Sequence, residues 1–380
     1  MAITIHQSPT GYASAHSELW HVVESTNKST SGFKYIFDIY KDATLLARLR
    51  NSPYGADKLG IIDVHNIVRS QLATENIAAL DFEETVVLDE DIFWTEYDVR
   101  YGEISGGVLT ANIASGTHRV YNNYPRSLFD NKSSEITGGM LLSNRPDISF
   151  MYDNDNVFIS WFAASGQTYT FTSNSSRLGT GTPYAITVTG DNNARVYGMR
   201  SQDYNNLSEA TFQISGSVSG IIKNLKIRKK CSKYERHILI FLNAFGAYDS
   251  FTFIHGKKIL DNQKKSFQSQ PYFWDGTEYR NSNGVFGVEA YYVNYRESKK
   301  IYNSEHQIKM QLTSDLLSTS EYNWLAELIN SPLVYYKLGA NLLPVIITDS
   351  NYEFKDERIN KADTLTVNIE FSEKTNTQFR

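Results

Sequence analysis

The run His237-Ile238-Leu239-Ile240-Phe241-Leu242 constrains this 380-residue chain more than any other stretch. Both alternating sets are apolar, with Leu239 and Phe241 on one face and Ile238, Ile240 and Leu242 on the other. An extended segment of this kind must be covered on both sides, which predicts a central strand enclosed by other layers. Asn243-Ala244-Phe245-Gly246 follows with turn chemistry, since Asn tolerates the left-handed region and Gly takes positive φ without steric cost. Tyr248 to Ile254 reads as the return strand. Phe251 and Phe253 share one face and Ser250 and Thr252 the other, a half-buried pattern. Asp249 stands at the mouth of the turn, where a carboxylate accepts backbone N–H bonds. Cys231, the one cysteine, reads as a small buried apolar residue and excludes a disulfide framework or a cysteine zinc cluster.

The chain is long enough for two or three domains with their own cores. Twenty-five Tyr and 20 Phe against five Met and eight Pro favour β structure, with Ser, Thr, Asn and Gly supplying turns. The expected fold class is therefore mainly β, with β-sandwich or barrel domains and a C-terminal α+β unit of one helix on a small antiparallel sheet. In residues 1–121, an N-terminal β-rich domain, strands are expected at 18–24, 33–40, 44–50, 92–101 and 108–113. Gly106-Gly107 and Ser115-Gly116 are read as turns. Val64, Ile67, Val68 and Leu72 are spaced for one face of a short helix with Asp63 as N-cap, and His65 falls off that stripe toward solvent.

Residues 122–147, rich in Asn, Ser, Pro and Gly, read as a linker. A middle β-sandwich over 148–230 is expected from short strands at 148–152, 156–163, 168–173, 184–189, 194–199, 209–215 and 220–228. Asp153-Asn154-Asp155-Asn156 reads as a hairpin turn rather than a calcium loop. In the C-terminal domain, 231–380, Lys257 to Gly284 reads as a polar connection that carries the aromatic triplet Tyr272-Phe273-Trp274. Strands are expected at 286–295 and 305–313. Ser318-Thr319-Ser320-Glu321 fits a capping box opening a helix over 319–330, whose apolar face is Trp324, Leu325, Leu328 and Ile329. A hairpin over 333–347 follows. Its Pro344 cannot donate to a ladder, which predicts an edge strand or a bulge there. Asp363 to Phe371 is expected as a last strand.

Net charge of −5 gives no reason for sequence recognition of nucleic acid, and the basic run 226–230 is too short for a binding stripe. From Asp81 to Asp98 eight of 18 residues are acidic, which reads as a solvated face beside a strand. The eight histidines show no metal-ligand spacing, and no nucleophile elbow, phosphate-binding loop or dinucleotide fingerprint occurs. No residue is assigned a catalytic, metal or cofactor role, and the chain is read as a non-enzyme. The N-terminus lacks the charge and apolar core of a secretory signal, and no apolar run is long enough for membrane insertion.

The arrangement Cys231-x-x-Tyr234, then Leu242-Asn243-x-x-Gly246-x-x-Asp249-x-Phe251-x-Phe253, followed by Tyr322-Asn323-Trp324 and Ser331-Pro332, resembles structural proteins in the virions of tailed phages that infect Bacteroidota. The likeness covers about the last 150 residues well and the first 100 more loosely. It implies a tail, baseplate or neck component of the distal-tail kind, located in the virion after assembly in the bacterial cytoplasm. Its partners would be copies of itself in a cyclic ring and other virion proteins. Asn243, Gly246, Asp249 and Trp324 are then structural motif residues. Candidate interface positions are Tyr272, Phe273, Trp274 and Pro344, with the acidic face at 81–98. A glycan-binding adhesion protein, its aromatics stacking on host surface sugars, is the alternative from another class.

Overall fold

The structure is a computed structural model that describes residues 3–72, 85–88, 90–124, 136–152, 155–176, 182–200, 204, 209–218, 220–231, 233–268, 299–339, 341–349, 364–372 and 375–379. It is mainly β, with a few short helical turns. The chain begins with β1 (Ile3–Gln7), β2 (Ala13–Ser14), β3 (Trp20–Ser25), β4 (Lys34–Lys41), β5 (Thr44–Asn51), β6 (Gly60–Asp63) and α1 (His65–Arg69). Next come β7 (Thr85–Val87), α2 (Glu90–Phe93), β8 (Trp94–Ser105) and β9 (Val108–Tyr121). A sheet in the order β1-β3-β6 packs on one in the order β2-β9-β8-β4-β5. Val23, Tyr35, Phe37, Ile39, Val99, Tyr101 and Val120 fill the space between them.

Two local expectations are corrected here. Asp63 ends β6 rather than capping α1, whose N-cap is Val64. Its carboxylate accepts the backbone N–H groups of Leu19 and His65 and bonds the His65 ring at 2.7 Å, so His65 is half-buried instead of solvated. Ser115-Gly116 is no turn. It lies inside β9 where the pairing with β8 shifts register, and Gly116 supplies the positive φ of 86° at that irregularity.

The middle of the chain contributes β10 (Ile148–Tyr152), β11 (Asn156–Ala163), β12 (Thr168–Ser176), β13 (Pro183–Thr189), β14 (Asn193–Arg200), β15 (Glu209–Gly216) and β16 (Gly220–Lys230). They form a sandwich of two sheets, β10-β16-β15-β12-β13 and β11-β14-β7. The second sheet includes β7, so it also draws on the first 121 residues. β10 and β11 belong to different sheets, β10 pairing with β16 in parallel and β11 with β14, so the two do not form the expected hairpin. All eight residues of β11 are buried. Val157, Ile159 and Trp161 face the five-stranded sheet, while Phe158 and Phe162 face the opposite way, toward the C-terminal unit.

That unit consists of β17 (His237–Leu242), β18 (Tyr248–Phe253), β19 (His255–Gln268), β20 (Lys299–Thr313), α3 (Thr319–Trp324), α4 (Ala326–Asn330), β21 (Val334–Leu338), β22 (Asn341–Ile347), β23 (Thr366–Phe371) and β24 (Thr375–Phe379). Its sheet runs β18-β17-β21-β22-β23-β20-β19, with β24 also paired to β20. β17 lies next to the edge strand β18 and is wholly buried, enclosed by layers on both faces. Ile238, Ile240 and Leu242 pack with Phe158 and Phe162 of β11, and Leu239 and Phe241 pack with Trp324, Leu325 and Leu328 of the helices. The middle and C-terminal units thus stack as sheet, sheet, sheet and helix. Two strands apolar on both faces, β11 and β17, make that stack possible because each contributes to two cores.

Further corrections concern this unit. The expected helix is broken into α3 and α4 at Leu325, although its capping box is present, with Ser318 and Glu321 bonding reciprocally. β18 is covered on both faces, not half-buried, since Ser250 and Thr252 are buried. The expected polar connection is in its first part β19, a regular strand, and β24 follows the expected last strand. Cys231 is exposed. The strand that carries Pro344 is interior, lying between β21 and β23. Pro344 is tolerated because β23 pairs only with Val345–Ile347, so its missing N–H faces the place where that ladder ends. Its carbonyl accepts the Ser372 N–H at 3.3 Å and hydroxyl at 3.0 Å.

Candidate functional site: the buried Asp249 joint

The turn between β17 and β18 is organised by the side chain of Asn243. Its Oδ1 accepts the backbone N–H groups of Phe245 and Ala247, and its Nδ2 donates to the Leu142 carbonyl at 2.8 Å and to Asp249 at 3.2 Å. Gly246 takes φ of 75°, and a Cβ there would stand inside the contact radius of the Asn122 carbonyl. Both conformation and close approach demand glycine at this position. The turn also reaches the first unit through a Tyr124 N–H to Ala244 carbonyl bond at 2.8 Å.

Asp249 is fully buried and accepts side-chain rather than backbone donors, which corrects the reading of its position. Ser143 Oγ donates at 2.8 and 2.9 Å and Trp324 Nε1 at 3.1 Å, beside the Asn243 amide. Burial pushes its carboxyl above the ordinary range, opposed by the Arg145 charge and then by these donors. Arg145 is itself buried. Its guanidinium lies over the Trp324 ring at 4.6 Å, and its Nη2 donates to the Ser250 carbonyl at 2.6 Å. Burial pulls Arg145 down, with Asp249 and Glu321 opposing, and guanidinium stays a cation in proteins.

A second carboxylate extends the joint. Glu327 of α4 accepts the Ala244 N–H at 3.0 Å and the Asn144 amide at 2.6 Å. Behind Arg145 a cavity of about 20 Å³ is lined by Ser149, Asp155, Asn156, Ser250 and Trp324 among others, room for about one water molecule. Burial pushes Asp155 up as well, with Arg236 at 3.6 Å opposing it. The chemistry of this site is cohesion. Fixed donors and one cation surround a buried anion, and the groups come from three separated stretches of chain.

Asn243, Gly246, Asp249 and Trp324 are therefore brought together. Pro344 lies elsewhere in the sheet, and Tyr272, Phe273 and Trp274 lie outside the described residues. Of the acidic stretch, Asp91 pairs with Lys41 and Glu96 with Arg119, each at 2.8 Å, while Asp81, Glu83, Glu84 and Asp89 lie outside the description. Ser143, Asn144, Arg145 and Glu327 are joint residues that sequence reading passed over. Among the described residues, no group of three or more His, Cys, Asp or Glu side chains is placed to hold a metal, and no helix is long and apolar enough to cross a membrane.

No family model and no curated protein matches the chain. Among solved structures, a titin fragment (Titin-A168169) is 12% identical, covering 60% of this chain and 100% of its own, with a TM-score of 0.24. Chicken CNTN1 FN1-FN3 domains are 10% identical, covering 58% and 64%, with a TM-score of 0.19. An I-band fragment of titin is 8% identical, covering 82% and 94%, with a TM-score of 0.20. Similarity at this level supports no inference about function.

Proposed function

We propose that the chain is a structural component of a tailed-phage virion whose copies assemble into a ring in the tail, baseplate or neck. The supporting observation is what the motif residues do. Asn243, Gly246, Asp249 and Trp324, which carry the resemblance to phage virion proteins, converge on one buried joint that ties separated stretches of the chain together. A joint of this kind suits an assembly subunit, because repeated contacts require each copy to present the same surfaces. Native mass spectrometry and negative-stain imaging of the purified chain test this. Closed rings of fixed copy number are the expected result, and a monomer at every concentration overturns it.

A second reading, glycan binding, is favoured by a cleft of about 430 Å³ in the first unit, lined by Tyr12, Glu18, Trp20, Asn123 and Thr137 among others. Trp20 is 37% exposed, and its Nε1 donates to Glu18 at 2.9 Å, so the indole is held in place by a carboxylate. An orientated aromatic face beside carboxylate, amide and hydroxyl groups matches the apolar faces and hydroxyls of a sugar. Titration of surface polysaccharide fragments into the wild-type chain and a Trp20→Ala variant decides. Loss of binding in the variant supports this reading, and absence of binding to the wild-type chain removes it.

A further inference from the structure

β19 and β20 pair along 14 residues of β19 in an antiparallel ribbon, His255↔Thr313 to Gln268↔Lys299. At about 3.3 Å per residue the ribbon is about 45 Å long. On its other side β20 is flanked by β23, at Lys309–Thr313, and by β24, at Asn303–His306, so along the ribbon it is β19 that has no second partner strand among the described residues. β19 is the edge of the sheet, and nearly every residue of it is exposed. Ile259, Leu260, Phe267, Ile301 and Tyr302 are all between 43% and 61% exposed. Such a concentration of exposed apolar side chains marks a contact surface.

The charge is equally one-sided. The two strands carry seven lysines and two carboxylates, a formal +5, so the remainder of the −5 chain stands at −10. Both ribbon carboxylates are already taken, Asp261 by Lys309 at 2.8 Å and Glu305 by Lys265 at 3.7 Å. Lys257, Lys258 and Lys264 are exposed and make no ion pair among the described residues. A cationic arm on an anionic body is complementary to another copy of the same molecule.

We propose that the β19–β20 ribbon is a self-association arm that lays its lysines and exposed apolar side chains on the acidic body of a second copy of this chain. The identity of the partner rests on the assembly reading above. Contact is made by the ribbon's faces and not by strand addition, because lysines along an edge strand repel the matching edge of a like copy. The arm and the body are different surfaces, so the contact is head-to-tail and propagates from copy to copy.

The test mixes unlabelled and uniformly 15N-labelled full-length chain, applies a zero-length lysine–carboxylate cross-linker, and reads mixed-isotope peptides by mass spectrometry, with native mass spectrometry of the same sample. Links from Lys257, Lys258 or Lys264 of one copy to body carboxylates of another are expected. The association constant should fall roughly tenfold or more in the triple Lys→Glu variant and at high salt, and be retained in the triple Lys→Arg variant. Rings whose mixed-isotope links bypass the ribbon overturn the arm and leave ring assembly standing. Ribbon-linked dimers without rings support the arm and overturn ring assembly. A monomer under all conditions overturns both. Because the links are read in the wild-type chain, a variant that misfolds does not blunt the test.

Discussion

The Trp324 indole donates its N–H to the Asp249 carboxylate at 3.1 Å across 75 residues of sequence. The same ring offers its face to the Arg145 guanidinium at 4.6 Å. One aromatic side chain thereby holds a buried anion at its edge and a buried cation on its face, the arrangement the ring quadrupole favours.

Asp249→Ala should destabilise the chain by about 3–5 kcal/mol, since it leaves the Arg145 cation and three donors buried without their acceptor. Asp249→Asn should cost less, about 1–2 kcal/mol, because its carbonyl oxygen still accepts from Trp324 while the charge opposite Arg145 is lost. Urea unfolding followed by tryptophan fluorescence measures both, and equal losses would show that the acceptor kept by Asn contributes nothing and the charge carries the whole effect.

Gly246→Ala should cost more than Gly32→Ala. Both glycines have positive φ, 75° and 72°, but only Gly246 faces a backbone carbonyl, whereas nothing lies within 4 Å of a Cβ at Gly32. The conformational penalty alone is about 1 kcal/mol, and the clash adds to it only at Gly246. Thermal melts of the two variants side by side give the comparison.

Acid should destabilise the fold well above the carboxylate range. His21 is buried between the Tyr101 and Tyr97 hydroxyls, at 2.7 and 3.1 Å, and burial, with the nearby His118 adding to it, pushes it down to about 3. Burial also lowers His16, His118 and His237. A histidine depressed in the folded state binds its proton first in the unfolded chain. Its contribution is therefore full above about pH 6.5 and is lost as pH falls toward 3, at about 1.4 kcal/mol per unit for a fully buried ring. Melting temperature against pH should slope accordingly, and His21→Gln should flatten that slope between pH 6 and 4.

Ser318→Ala should cost about 1 kcal/mol by removing the hydroxyl that accepts the Glu321 N–H. Ser318→Asp should restore most of it. If the cap did not matter, urea midpoints of the three proteins would coincide.

Elements whose two faces differ, or whose faces are both apolar, were legible from sequence. The strands of the sandwich fall at nearly the expected limits, β17 is enclosed on both faces, and the capping box is present, because burial contrast and turn chemistry are local signals. Of the ribbon, the second half of β20 was expected as a strand at 305–313, but β19 was not legible. Exposed at nearly every position, β19 shows no burial contrast, and its strand character comes from pairing alone. Asp249 and Trp324 were visible as a motif, but their partners were not. Ser143, Asn144 and Arg145 sit in a polar, turn-rich stretch indistinguishable from a solvated connection, and only the return of β18 past it buries them. Pro344 was misjudged because local chemistry shows a missing donor but not that the neighbouring ladder stops one residue short of it.

The joint also sets a schedule for the nascent chain. Ser143 and Arg145 leave the ribosome long before Asp249, 106 residues after Ser143, and Trp324 emerges later still. Until then the arginine has no counter-ion, β17 has no helices over its second face, and β10 has waited for its parallel partner β16. Such long-range closures are slow and expose sticky intermediates, so a chain cut before Trp324 should aggregate or be held by chaperones rather than persist as a smaller folded protein.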